Sequence, residues 1–195
     1  MSEKSVPIEV RDRVERDSHV GGYRYECPRP SVALDNVIIA RTDEGDFLLT
    51  IRRGKDPCKG AVALPGGFLD VETDQTLQAG AWRELIEETQ LAETELISRL
   101  ICGPFQVGTY GKMGRDPRGR VITVAYGCVI DGMLDAVAAD DAEPGSALWI
   151  PTNELPSDDQ FAFDHEKIIA KALGELHMAQ FVNDKSAVPD WITTL

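Results

Sequence analysis

Short runs of apolar and β-branched residues, each bounded by polar or glycine-rich turns, predict strands through the middle of the chain. These runs cover residues 31–40, 46–53, 61–69, 121–130 and 148–150, and residues 93–110 contain at least one more strand. Two stretches instead carry apolar residues at helical spacing. They run from about Gln75 to Thr89, with Asp74 as N-cap, and from about His165 to His177, with Asp164 as cap. Strands interrupted by two helices predict an α/β fold with helices packed on a mixed sheet.

Length and composition favour one globular domain. The chain has 195 residues, of which 43% are hydrophobic. We expect a polar, partly ordered N-terminal lead-in over 1–30, the main domain over 31–180 and a C-terminal tail over 181–195. The four cysteines are scattered without a CxxC pair, which is typical of buried thiols in a reducing compartment. The start of the chain lacks the apolar stretch of a signal peptide, and no run is long enough to span a membrane, so we expect a cytoplasmic protein.

The charge balance is acidic. Asp and Glu number 33 against 20 Lys and Arg, for a formal net charge of −13. This balance argues against non-specific nucleic-acid binding, which needs a basic face, and no membrane partner is expected either. An acidic enzyme still binds an anionic substrate when divalent cations and a few arginines mediate the contact. Net charge that simply maintains solubility explains the composition equally well.

Three carboxylates crowd the end of the first predicted helix. At 100° per residue, Leu77 and Ala81 share a stripe that continues into Glu84 and Glu88, with Glu87 within about a quarter-turn of them. Like charges at this spacing repel by a few tenths of a kcal/mol per pair, and carboxylates near a helix C-terminus cost roughly 0.3–1 kcal/mol each. A hard divalent cation such as Mg²⁺ or Mn²⁺ removes both penalties. A solvated acidic helix end is the alternative.

The pattern GG…REL.EET.L resembles the Nudix box, G-x5-E-x7-R-E-U-x-E-E-x-G-U. Gly67 fits the leading glycine, and the helix supplies the remaining matches at Arg83, Glu84, Leu85, Glu87, Glu88 and Leu91. The resemblance implies a Nudix fold, an α/β/α sandwich around a mixed β-sheet. It also implies that divalent ions, Mg²⁺ or Mn²⁺, are held by Glu84, Glu87, Glu88 and the backbone carbonyl of Gly66. By the same resemblance, Arg83 braces a glutamate and does not touch substrate.

The match departs from the box at three places. The spacing from Gly67 to the helix is two residues too long, and Gln75 stands where the family has glutamate. Glu72 and Asp74 are the candidates to replace that charge. Gln90 replaces a glycine that suits a left-handed helix cap. Because the core metal-binding positions survive, we expect activity to survive, with a degenerate Nudix domain that only binds its ligand as the alternative.

Features outside the box point to a narrower group. Residues 52–69, 114–126 and 161–173 resemble Nudix proteins of the ADP-ribose pyrophosphatase and NAD-metabolism group, which includes transcriptional regulators. Because a guanidinium group grips two oxygens at once, Arg53, Arg115 and Arg118 are candidate diphosphate contacts. Phe105 and Tyr110 are candidates to stack on the nucleobase, although aromatic residues in a β-rich segment also belong to a core. The candidates for general base or an extra ligand are Asp140, Asp141 and Glu143.

The resemblance implies Mg²⁺-dependent hydrolysis of a nucleoside diphosphate derivative, and we expect ADP-ribose, cleaved to AMP and ribose 5-phosphate. The alternatives are another nucleotide, such as NADH, a nucleotide sugar or an oxidised dNTP, and a non-catalytic domain that senses ADP-ribose. The related regulators continue into a winged helix, whereas this chain stops soon after its last helix, which ranks the regulator lower. The resemblance also implies a homodimer.

Overall fold

A computed structural model describes residues 14–17, 22–25, 28–139 and 142–179 of the chain. The chain divides into two compact units, residues 1–30 and residues 31–195. In the first unit, strands β1 (Val14–Asp17) and β2 (Gly22–Tyr25) pair as an antiparallel ribbon. The predicted C-terminal tail, 181–195, lies outside the described residues. Within the described ranges, no helix combines the length and the apolar character needed to cross a membrane.

The second unit is built on a seven-stranded mixed sheet. Its strands are β3 (Ser31–Thr42), β4 (Gly45–Arg52), β5 (Val62–Ala63), β6 (Gly66–Phe68), β7 (Leu100–Tyr110), β8 (Val121–Asp131) and β9 (Leu148–Pro151). The strand order is β5-β4-β3-β8-β7, with β6 paired to β3 and β9 paired to β4. β3 and β8 are parallel, and the other pairs are antiparallel. The predicted mixed sheet is therefore confirmed.

Helices cover both faces of this sheet. Helix α1 (Leu77–Thr89) and the short α2 (Glu93–Ser98) pack on one face, and α3 (His165–Ala179) packs on the other. Alternation along β3 shows the two layers, because Val37 and Ile39 join the core beneath α3 whereas Ile38 and Ala40 join the core beneath α1. The apolar stripe of α3 is buried as its spacing predicts, at Ile168, Ile169, Ala172 and Leu176.

β3 changes its antiparallel neighbour along its length. Residues 33–35 pair with β6, and residues 39–42 pair with β4. At the junction, the backbone N–H of Asn36 donates to the carbonyl of Pro65, and its side-chain amide donates to the carbonyl of Ala81 at 2.7 Å. Asn36 thus ties the glycine-rich turn and α1 to the centre of the sheet. The predicted single strand over 61–69 is accordingly two short strands that pair with different neighbours.

Several predicted boundaries and burials are wrong. α1 begins at Leu77, and its N-cap is Thr76, whose hydroxyl accepts from the N–H of Ala79 at 3.0 Å. Leu77 is 37% exposed because it stands at the first helical position, outside the core. The sequence analysis also missed α2, which is too short for a helical period and buries only Leu96. Not all cysteines are buried, since Cys102 is exposed.

Gln90 occupies the left-handed position that the missing box glycine would take. Its φ is +51° and its backbone N–H bonds to the carbonyl of Ile86, which closes the end of α1. A side chain in this region costs roughly 1–2 kcal/mol relative to a right-handed residue.

We predict that Gln90→Gly raises the free energy of unfolding by about 0.5–1 kcal/mol, because glycine adopts this φ without a Cβ penalty. The greater entropy of glycine in the unfolded chain offsets part of that gain. Urea unfolding measures the difference. Gln90→Ala is the matched control, since it removes the same side chain but retains Cβ, and it should bring no gain. Equal stability of the two variants would contradict the argument.

Candidate functional site

A cavity of about 350 Å³ opens where β3, β6 and α1 meet the loop after β7 and the start of α3. It gathers seven residues that were singled out from the sequence: Arg53, Gly66, Gly67, Glu84, Glu88, Arg115 and Arg118. Carboxylates of α1 therefore face the same space as guanidinium groups from two loops, one after β4 and one between β7 and β8. Arg52, the neighbour of Arg53, is exposed and donates instead to the carbonyl of Gly60.

The glycine pair lets the backbone pass between β3 and α1. A Cβ on Gly66 would lie 2.1 Å from the carbonyl oxygen of Leu34, and one on Gly67 would lie 2.3 Å from Oε2 of Glu84. Either contact is far inside van der Waals distance. At Gly66 the overlap is with the backbone of β3, so only glycine fits there, whereas a side chain at Gly67 would displace the Glu84 carboxylate.

Glu88 is a buried carboxylate on the cavity wall. It is 5% exposed, and its Oε2 accepts the backbone N–H of Gly66 at 2.8 Å. Burial raises its pKa to about 8, and the nearby charges of Glu84 and Asp35 add to the rise against the effect of the Gly66 hydrogen bond. Burial likewise raises the pKa of Glu84, although the Arg83 guanidinium opposes the shift. Charge at these two glutamates is expensive without a cation.

Arg83 braces the acidic helix from the solvent side. Its Nη1 donates to Glu84 at 2.9 Å and to Glu87 at 2.8 Å. Its Nε and Nη2 donate to the two carboxylate oxygens of Asp74 at 2.9 and 2.8 Å. These bonds lower the pKa of Asp74 and raise that of Arg83. Asp74 is therefore not the N-cap, and it supplies the carboxylate that Gln75 lacks.

The third box glutamate points away from the cavity. The side chain of Glu87 is 47% exposed and is held by Arg83. Within the described ranges, no group of three or more Asp, Glu, His or Cys side chains is arranged to hold a metal ion. The donor chemistry nevertheless fits a hard divalent cation, because Glu84 and Glu88 both face the cavity and burial penalises their charge.

Three guanidinium groups lie close to one aromatic ring that also lines the cavity. The Cζ atoms of Arg53, Arg118 and Arg115 lie 5.0, 5.6 and 5.9 Å from the ring centroid of Phe163. Arg118 also lies 4.9 Å from the ring centroid of Phe68. The backbone of Phe163 has a φ of +57°, which a bulky residue rarely adopts. The strained backbone places the ring between the cations.

Carboxylates hold two of these arginines in place. Both Nε and Nη2 of Arg115 donate to Oδ1 of Asp164, at 2.9 and 2.6 Å. That carboxylate is thus engaged by Arg115, although α3 does begin directly after it, as predicted. Arg118 donates from Nε and Nη2 to Asp116. Burial disfavours the charge of Asp116, but the bonds from Arg118 outweigh it and lower the pKa.

Two buried polar residues, His165 and Asp35, line the cavity. Nδ1 of His165 accepts the backbone N–H of Leu64 at 3.0 Å, so the proton of the neutral ring lies on Nε2. Nε2 is 3.6 Å from Oδ1 of Asp35, whose Oδ2 accepts the hydroxyl of Thr123 at 2.6 Å. Burial lowers the pKa of His165. Burial therefore favours the neutral imidazole, and the Thr123 hydroxyl holds the Asp35 carboxylate beside it.

Other predicted site residues lie elsewhere. Phe105 and Tyr110 stand on β7 and pack against the core beneath α3, because their segment is a strand covered by that helix. Glu143 is exposed and lines a neighbouring groove with Arg53, Lys55 and Lys59. Asp140 and Asp141 are outside the described residues.

Four cavity residues were not singled out from the sequence: Asp35, Phe68, Asp116 and Phe163. Asp35 carried a signal, because it and Asn36 interrupt the apolar run of a predicted strand. Phe68 directly follows the glycine pair and was assigned only to a strand. Asp116 and Phe163 stand in loops, where spacing along the chain carries no information about which space a side chain faces.

Comparison with known proteins agrees with this geometry. Residues 33–172 match the NUDIX domain family model. An ADP-ribose pyrophosphatase from Methanocaldococcus jannaschii is 40% identical over 141 residues, which cover 72% of this chain and 71% of that protein. An ADPR responsive transcriptional repressor from Acinetobacter baylyi is 33% identical over 153 residues, which cover 78% of this chain but 56% of the repressor.

Solved structures share the fold. The NUDIX domain of Shewanella oneidensis NrtR, complexed with ADP ribose, gives a TM-score of 0.63 at 26% identity, covering 77% of this chain and 90% of that one. A bifunctional NMN adenylyltransferase/ADP ribose pyrophosphatase from Francisella tularensis, complexed with AMP and a manganese ion, gives a TM-score of 0.62 at 30% identity. The match covers 77% of this chain and 43% of that one. Because the family match spans well over half of its length, the chain belongs to the NUDIX family, as the box predicts, and it is a Nudix pyrophosphohydrolase.

Proposed function

We propose that the protein hydrolyses ADP-ribose to AMP and ribose 5-phosphate with the help of Mg²⁺. The observation that carries this proposal is the cavity itself, in which buried carboxylates of the box face a cluster of arginines. Arginines attract the negative charge that a diphosphate carries on its non-bridging oxygens, and carboxylates would hold the divalent cation that offsets that charge. The similarity to an ADP-ribose pyrophosphatase over most of the chain supports the choice of substrate.

The arginines bind and orient the diphosphate. Arg53 is suited to touch it directly, since its Nε donates to the neutral carbonyl of Pro57 and the guanidinium faces the cavity. Arg118 is 42% exposed at its side chain and lines the same wall. Arg115 is only 4% exposed and is tied to Asp164, so it contributes positive charge and rigidity. Guanidinium forks match pairs of phosphoryl oxygens.

Water attacks one phosphorus, the bond from that phosphorus to the bridging oxygen breaks, and the other phosphate leaves. A carboxylate of the cavity accepts the proton of the attacking water. Glu84 and Glu88, with the backbone carbonyl of Gly66, would hold the divalent cation, and Glu87 would join them on leaving Arg83. When bound, the cation would offset the diphosphate charge and favour deprotonation of water. Arg83, fixed by Asp74, keeps Glu84 in place.

A second candidate is a domain that senses ADP-ribose without hydrolysing it. The similarity to an ADPR responsive repressor favours it, as does the similarity to a NUDIX domain complexed with ADP ribose. In that case the cavity would bind the same ligand, and no product would form.

Turnover separates the two candidates. We expect purified protein with Mg²⁺ to release AMP chiefly from ADP-ribose when it is offered ADP-ribose, NADH, ADP-glucose, diadenosine polyphosphates and oxidised dGTP. Chromatography of the products gives the readout. Preference for another compound would replace ADP-ribose as the substrate, and tight ADP-ribose binding without turnover would support the sensor.

The buried glutamates should dominate the rate. We predict that Glu88→Gln and Glu84→Gln each lower kcat by about 10²-fold or more with Mg²⁺, because each removes a charged oxygen that faces the cavity. Glu93→Gln is the matched control, since Glu93 is an exposed acid in the first turn of α2. The assigned role fails if the Glu88 variant turns over at the wild-type rate.

The raised pKa of Glu88 also predicts a pH-dependent stability. Between the ordinary glutamate pKa of 4.5 and about 8, the folded protein retains a proton that the unfolded chain has lost. Stability conferred by this group is therefore fully present at low pH and is lost as the pH rises towards 8. In chelator, the unfolding free energy of the wild type relative to Glu88→Gln should fall by on the order of 2 kcal/mol from pH 6 to pH 8.

Urea unfolding of both proteins at the two pH values measures this difference, and other titrating groups cancel in the comparison. Excess Mg²⁺ at pH 8 should restore stability to the wild type and not to the variant. A difference that does not change with pH would show that Glu88 is ionised in the metal-free protein.

A further inference from the structure

Four cavity side chains alternate between aromatic rings and guanidinium groups. The distance from the guanidinium carbon to the ring centroid is 4.9 Å for Arg118 and Phe68, 5.6 Å for Arg118 and Phe163, and 5.0 Å for Arg53 and Phe163. We call Phe68, Arg118, Phe163 and Arg53 the cation–ring row. Each step falls within the range at which a ring attracts a cation. Phe68 is the ring at one end of this row.

The cation behind Phe68 is fixed. The guanidinium group of Arg118 donates to both carboxylate oxygens of Asp116, and the backbone N–H of Arg118 donates to the same group at 2.9 Å. The side chain of Asp116 is 1% exposed. A ligand that displaced Arg118 would leave this buried charge without its partner, which is costly. Arg118 therefore stays in place, and a ligand meets the accessible part of the Phe68 ring.

Phe68 is held rigidly at its backbone and is open at its ring. It pairs with Ala33 across β3 and β6, and its carbonyl accepts from Arg83. The residue is 41% exposed, and it is the one aromatic among the exposed large hydrophobic residues of the described ranges. It directly follows Gly67, which lies against Glu84. A flat apolar surface thus stands beside the carboxylates.

We propose that Phe68 is the platform on which the nucleobase of the substrate stacks. This inference rests on the proposed function, which makes the substrate a nucleoside diphosphate derivative. Stacking requires a flat ring with an accessible face and tolerates different bases, and the apolar area of Phe68 gains from being covered. With Arg118 behind the ring and the arginines further along the row, one wall binds the base and then the diphosphate. Phe68 takes the role that the sequence suggested for Phe105 and Tyr110.

Binding of the two halves of the substrate tests this platform without turnover. AMP carries the base, and ribose 5-phosphate carries only sugar and phosphate. We expect Phe68→Leu to weaken AMP binding by about tenfold and to leave ribose 5-phosphate binding within about twofold of the wild type, as measured by calorimetry. Phe47→Leu is the matched control, because it makes the same substitution at a residue that packs against the core beneath α1. It should alter neither affinity.

Phe68→Trp provides an optical readout, since a larger ring at the same position should retain AMP binding. AMP should quench its added fluorescence relative to wild type, and ribose 5-phosphate should not. Wild-type AMP affinity in Phe68→Leu would overturn the proposal, as would an equal loss for both ligands. Failure of the wild type to hydrolyse ADP-ribose would overturn the proposed function alone, because AMP binding is measured separately.

Discussion

The close passage of the Gly66–Gly67 backbone between β3 and α1 is the constraint on which this site depends. Both hypothetical Cβ atoms would overlap their neighbours, at Leu34 on the strand and Glu84 on the helix. The same passage gives Glu88 its hydrogen bond from Gly66 and directs the next residue, Phe68, into the cavity. Because the sheet partner of β3 changes at this point, the turn has room to enter without breaking the sheet.

The site brings like charges together in a partly buried space, which is unfavourable without a ligand. Glu88 and Glu84 are buried enough that ionisation is penalised, and Asp35 lies close enough to add repulsion. Among the cavity arginines, Arg53 lies near the ring of Phe163, and the other two donate to carboxylates of Asp164 and Asp116. Buried carboxylates are unfavourable without a cation, and neighbouring guanidinium groups are unfavourable without an anion. A diphosphate with a divalent ion complements both.

The departures from the box have physical counterparts. Asp74, one residue before Gln75, reaches Arg83 from the lengthened loop with both carboxylate oxygens, so the brace on the acidic helix persists. Gln90 adopts the left-handed conformation that glycine would take more easily, so the helix still ends at Thr89. The geometry of the box is therefore kept although two of its residue types are replaced, because Asp74 supplies the carboxylate to Arg83 and Gln90 adopts the left-handed conformation.

The sequence by itself determined the mixed α/β fold, the helix that carries Glu84 and Glu88, and the need for glycine beside them. Hydrophobic period, turn residues and clustered charge are local properties that a linear pattern records. Only the tertiary structure decided that Phe105 packs in the core and that Phe163 and His165 face the cavity. These outcomes depend on which distant segments meet: Ser31 on β3 pairs with Val121 on β8, and Leu64 bonds to His165. Spacing along the chain contains no measure of that distance.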